Sequence, residues 1–238
     1  MFIPVHDINP LKKLSFQWVT VALIAFNILI YLLFGTPFFS PASEYVSDFA
    51  LVPMEFLGGG ATPSDEVLRL HEPLPLPEAF TILSYMFVHV DFFHLVGNMV
   101  FLWVFGDNIE DAMGRLRFLF FYMTCGILAA LAHVAMMPDS NMPVVGASGA
   151  VAGVIGAYLM LHPKVKLWVL VLYRVPIRIT AAWAIGFWVA VQIYTAFYST
   201  DLFIAWGAHL GGFAVGMVLV LFMRRPGVEL FDRNISKA

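Results

Sequence analysis

The chain has 238 residues, of which 61% are hydrophobic and only 12% charged, with a formal net charge of -3. That much apolar surface exceeds what a core of this length can hide, which excludes an ordinary soluble domain and points to an integral membrane protein. The single cysteine, Cys125, excludes an intrachain disulfide and argues against a cysteine-based metal site, and the charge pattern does not indicate a nucleic-acid partner.

Residues 1–15 form an N-terminal segment carrying Lys12 and Lys13, and the uncharged run 16–34 predicts a first membrane span. No small-residue cleavage pattern follows it, so the run reads as a span and not as a cleavable signal. A long outer loop over 35–90 comes next. Its stretch 35–78 mixes seven carboxylates with seven prolines and several exposed-type phenylalanines, which suits a proline-broken segment resting on the membrane surface. The runs 92–105, 118–138, 144–163, 179–200 and 202–223 predict five more spans, the first of these, span two, being short. The stretch 167–173, between Lys166 and Arg174, is too short to cross and is expected at the interface. Residues 224–238 form a basic tail. Trp18, Trp168 and Trp206 read as interfacial anchors.

The expected fold is therefore an all-α membrane protein, a bundle of six transmembrane helices over 16–223. Orientation follows from the cations. With the N-terminus inside, twelve of the thirteen Lys and Arg residues fall on inner segments and only Arg69 falls outside, so both termini are expected in the cytoplasm, with the bundle in a cell (inner) membrane.

Three spans then bring polar side chains to one shallow layer below the outer surface. At about 1.5 Å of rise per residue, His94 and Asn98 lie roughly 5 and 10 Å along the second span, and His209 roughly 12 Å along the sixth. Ser148 opens the fourth span. His94 and Asn98, four residues apart, share one helix face. Gly149, Gly153 and Gly156 flank Ser148, while Gly207, Gly211, Gly212 and Gly216 surround His209. Small residues at this spacing let helix backbones approach closely in lipid, which can carry Ser148 within reach of His209. A serine hydroxyl needs a base to become a nucleophile, and histidine is the usual one. No Asp or Glu lies within the six runs, so the available chemistry is a Ser148–His209 dyad. The Asn98 amide, His94 and the backbone N–H groups around Ser148 are the candidate oxyanion donors.

The stretches HVDFFHLVGNMVFLW (89–103), GASGAVAGVIGAY (146–158) and AHLGGFAVG (208–216), with EDAMG (110–114) before the third span, resemble the rhomboid family of intramembrane serine proteases over roughly 80–223. The resemblance implies a six-helix fold, Ser148 as nucleophile, His209 as general base, and Asn98, His94 and the Ser148 backbone as the oxyanion site. It implies transmembrane protein substrates entering laterally beside the fifth span, residues 199–206 as a mobile cap, small side chains before the scissile bond, and no cofactor. Two departures stand out. Many members carry a Trp-Arg pair in the first outer loop, yet no Trp occurs between Trp18 and Trp103, and Ala152 stands where an aromatic often stacks on the catalytic histidine. Something else must orient His209.

Two other readings compete. A histidine-based metal or haem membrane protein would use His89, His94, His133 and His209, but leaves Ser148 and its glycines unexplained. A catalytically inactive relative that binds transmembrane clients without cutting them would typically have lost the serine or the histidine. Taken singly, Asn98 is also the kind of amide that glues membrane helices together, and His89 and His133 suit structural or water-facing roles.

Overall fold

The computed structural model of the protein describes residues 2–35, 48–58, 77–171, 174–198 and 205–232. Its main helices are α1 (Trp18–Phe34), α2 (Phe92–Met113), α3 (Arg115–Met136), α4 (Ser148–Leu161), α5 (Ala181–Tyr198) and α6 (Trp206–Met223). Of these, α2, α3, α5 and α6 are long and apolar enough to cross a membrane, and α1 and α4 are shorter apolar helices. Large apolar side chains such as Leu116, Phe120, Trp183, Phe197 and Phe222 stand exposed on the outside of the bundle. In lipid such an exterior is the solvated one, and the apolar helices mark an integral membrane protein.

Two expectations are corrected. The fold is mostly helical but not all-α, because β1 (Phe2–Asp7), β2 (Lys166–Val171) and β3 (Val175–Thr180) form an antiparallel sheet in the order β1-β2-β3. The stretch expected only to rest at the interface is thus the central strand as far as Val171. Alternation of buried Leu167 and Val169 with exposed Lys166 and Trp168 seats one face of β2 on the protein. Asp7, at the end of β1, ties the sheet to the bundle by accepting from the Tyr158 hydroxyl at 2.6 Å and from Asn108 Nδ2 at 3.0 Å.

The second span, expected short, is a 22-residue helix. Its acidic end was misleading, because Glu110 and Asp111 are buried acceptors and not solvated charges. Glu110 caps the start of α1, taking the backbone N–H of Val19 (3.1 Å) and Thr20 (2.8 Å) and the Thr20 hydroxyl (2.8 Å). Asp111 accepts the N–H groups of Lys12, Lys13 and Leu14. A carboxylate at a helix N-terminus satisfies orphan donors and meets the positive end of the dipole.

At the centre stands α4, whose residues from Gly149 to Tyr158 are all buried. Its glycines make a backbone-on-backbone seam with α6. A side-chain carbon placed on Gly212 would strike the Gly149 carbonyl, on Gly216 the Gly153 carbonyl, and on Gly156 the Phe213 carbonyl. On the other flank of α4, a carbon on Gly153 would come 2.5 Å from Cys125 Sγ of α3. This is the close approach that small residues permit where apolar attraction selects no partner. The loop leading into α4 is pinned as well. Leu51 and Val144 exchange backbone hydrogen bonds (3.0 and 2.8 Å), and the Gly146 N–H reaches the Tyr85 carbonyl at 2.9 Å.

Candidate active site

The α4–α6 seam decides where Ser148 lies. Ser148 is the first residue of α4 and His209 lies in the first turn of α6, next to the contact of Gly149 with Gly212. His209 Nε2 is 2.8 Å from Ser148 Oγ. On the other side of the ring, His209 Nδ1 is 2.7 Å from Oε1 of Gln192, a buried residue of α5. The Trp188 ring, also on α5, lies 6.1 Å from the imidazole, centroid to centroid. Where an aromatic could stack from α4 stands the buried Ala152, and the contacts on the Nδ1 side of the ring come from α5.

The oxyanion candidates gather on the other side of Ser148. Gly146 has φ of +106°, a backbone conformation that suits glycine. Lacking a side chain, it sits directly against α2: a Cβ there would be 2.7 Å from His94 Nε2 and 3.4 Å from Asn98 Nδ2. Asn98 is buried, and its Nδ2 donates at 3.2 Å to the His94 carbonyl, one turn back on its own helix. Asp91 caps α2 by accepting the His94 N–H at 2.9 Å. The first hydrogen bond of α4 runs from Val151 N to Ala147 O, so the N–H groups at Ser148 and Gly149 lie at the open, positive end of that helix.

All four residues expected from the sequence therefore cluster around the loop 146–148. The remaining histidines do not make a metal centre, since among the described residues no group of three or more His, Cys, Asp or Glu side chains is placed to hold an ion. His89 packs edge-on against His94 with centroids 5.2 Å apart, and burial, reinforced by His94, pushes it down to about 3. His133 belongs to α3 and lies beside Gly207 of α6. Of the expected cap over 199–206, residues 199–204 fall outside the described residues and Trp206 already opens α6; most of the outer loop, 36–47 and 59–76, also falls outside them.

Gln192 is the residue that sequence reasoning missed. Its signal was there: it is the one amide in a largely apolar helix, AAWAIGFWVAVQIYTAFY. A polar group of that kind in a membrane segment requires a partner.

Residues 77–226 match the family model described as the rhomboid domain, which is more than half of the chain. Among curated proteins, the chain is 31% identical over 167 residues to "Rhomboid protein 1, mitochondrial" of Saccharomyces cerevisiae, covering 66% of this chain and 46% of that one. It is 27% identical over 234 residues to "RHOMBOID-like protein 1" of Arabidopsis thaliana, covering 93% and 57%. It is 30% identical over 107 residues to "Rhomboid protease GluP" of Bacillus subtilis, covering 43% and 20%. The chain thus spans about half the length of the first two relatives, and less of the third.

Proposed function

The chain belongs to the rhomboid family, and on that premise we propose that it is an intramembrane serine endopeptidase that cleaves transmembrane protein clients near the outer membrane face. The observation that carries this reading is the 2.8 Å contact between His209 Nε2 and Ser148 Oγ. A relative named a protease, from Bacillus subtilis, supports it.

His209 takes the Ser148 proton as Oγ attacks the scissile carbonyl, and the imidazolium then protonates the leaving amine. The negative oxygen that develops is met by the Ser148 backbone N–H, the Asn98 amide and His94, at the positive end of α4. Water then attacks the acyl-enzyme, with His209 again as base, and releases Ser148. The residues need no cofactor for these steps.

The six apolar helices are read as six spans, with both termini cytoplasmic in a cell (inner) membrane, on the strength of the cation distribution. Clients enter beside α5. That helix buries only Ala181, Ala184, Ile185, Gln192 and Thr195 of its eighteen residues, which makes it the loosely held wall of the site. The test is labelling of the detergent-solubilised full chain with a fluorophosphonate probe. Labelling of the parent that disappears in both Ser148→Ala and His209→Ala supports the reading. A parent that does not react, or a well-folded His209→Ala that reacts like it, removes the dyad.

A further inference from the structure

We propose that Gln192 is a positioning residue for the reaction: its side-chain oxygen holds the proton of His209 on Nδ1 and so keeps Nε2 free to take the proton of Ser148. The inference rests on the serine-protease reading of the same site.

A neutral imidazole carries one N–H, and the ring nitrogen that bears it is set by its hydrogen-bond partners. With Nδ1 protonated, Nε2 can accept from the Ser148 hydroxyl 2.8 Å away; with Nε2 protonated, it can only donate to that hydroxyl and cannot act as base. Gln192 Oε1, 2.7 Å from Nδ1, is an acceptor and selects the first tautomer. It also fixes the ring plane, together with the Trp188 ring at 6.1 Å.

The placement of Gln192 points the same way. It is buried while its neighbours Val191 and Ile193 are exposed on the outside of α5. The other buried polar residue of that helix, Thr195, satisfies itself by donating to the Val191 carbonyl at 2.9 Å. Gln192 instead reaches across to another helix and ends on the imidazole. Among the described residues, the titratable groups that bear on His209 are His94 on α2 and His133 on α3, and its ring nitrogens meet an amide and a hydroxyl, not a carboxylate. An uncharged amide therefore occupies the position that an aspartate takes in a three-residue relay.

Fluorophosphonate inactivation of the full chain, resolved into a maximal rate and a half-saturating probe concentration from pH 5 to 9, tests the assignment. Gln192→Leu keeps the volume and removes the acceptor. It is expected to lower the maximal rate by about 10 to 100-fold, with half-saturation within about twofold, because tautomer and ring orientation act in the chemical step. Gln192→Glu restores an acceptor and adds a charge that favours the imidazolium. It is expected to react faster than Gln192→Leu and to move the acid limb of the profile up by about one pH unit or more. A merely structural role would not move that limb. Gln192→Met replaces Gln192→Leu if the latter does not fold. A folded apolar variant reacting within about threefold of the parent, or an acid limb unmoved in Gln192→Glu, overturns the role of Gln192 while leaving the dyad standing. A parent chain that does not label at Ser148 overturns both.

Discussion

Gly212→Ala changes one hydrogen into a methyl group, and it is expected to silence the site without touching a reacting atom. The added carbon falls on the Gly149 carbonyl oxygen, with the carbonyl carbon at 3.0 Å and Ala129 Cβ at 3.2 Å. Real Cβ contacts below 3.0 Å are essentially never seen, and the atom in the way is backbone, which cannot rotate aside. The α4 and α6 helices must therefore part by on the order of 1 Å, the scale of misplacement that reduces catalysis by about 100-fold. The Ser148–His209 contact, 2.8 Å long, sits one residue from Gly149 and three from Gly212, so the same movement takes it past the roughly 3.2 Å limit of a good hydrogen bond. Overpacking of this kind also destabilises by about 1 to 3 kcal/mol. The assay is fluorophosphonate inactivation alongside thermal melting of the detergent-solubilised protein. Gly186→Ala is the control, because a methyl group there meets nothing within 4 Å, and it is expected to leave the rate unchanged and the melting temperature no lower than the parent's. A Gly212→Ala protein that reacts and melts like the parent would refute the seam as the element that sets the dyad distance.

Three other outcomes follow from the same geometry. Ser148→Ala and His209→Ala are each expected to abolish client cleavage while melting close to the parent, since neither change alters the glycine seam; residual peptidase activity in a purified variant would count against the dyad. Asn98→Ala is expected to lower kcat by about 10 to 1,000-fold with KM and melting temperature little changed, as for a donor that acts in the transition state. A loss of activity that only tracks the unfolded fraction would make Asn98 interhelical glue instead. His89 is held neutral, down to about 3, chiefly by burial, against an ordinary value of 6.5. Its folded-state value is lowered, so between those two values the unfolded chain binds the extra proton, and stability is lost as pH falls from 6.5 towards 3. Melting temperature is thus expected to drop over that window and to drop less in His89→Phe; parallel curves for the two proteins would show that His89 does not set the acid sensitivity.

The residues around Ser148 were legible because each announced itself locally. A hydroxyl among glycines at the head of an apolar run, a histidine among glycines, and His94 and Asn98 one turn apart are short-range patterns whose meaning survives without coordinates. The glycine spacing also carried the seam, since only close backbone approach gives it a purpose in lipid. What stayed hidden depended on distant partners. Glu110 and Asp111 look like the charged end of a span until they are seen satisfying N–H groups some ninety residues earlier in the chain. Strand β2 looks like an interfacial run because the strand that completes its edge, β1, is at the other end of the sequence. Gln192 gave a local signal, an isolated amide, but its partner His209 lies on the next helix across a connection outside the described residues.

The shortness of α4 ties these features together. Its 14 residues rise roughly 21 Å, against a hydrocarbon core of about 30 Å, so as a straight helix it leaves part of the crossing to the chain on either side. A short helix facing lipid would leave its terminal N–H groups unsatisfied in hydrocarbon at a high free-energy cost. Burial of every residue from Gly149 to Tyr158 removes that exposure, and the glycines are what let α6 close around it. Ser148, His209, His94 and Asn98 gather at the N-terminus of α4. Its open N–H groups have no partner within the helix, which suits them to meet an oxyanion under the proposed mechanism. Packing and the proposed chemistry thus make the same demand on α4. An α4 bulky enough to hold α6 away would lose the dyad distance.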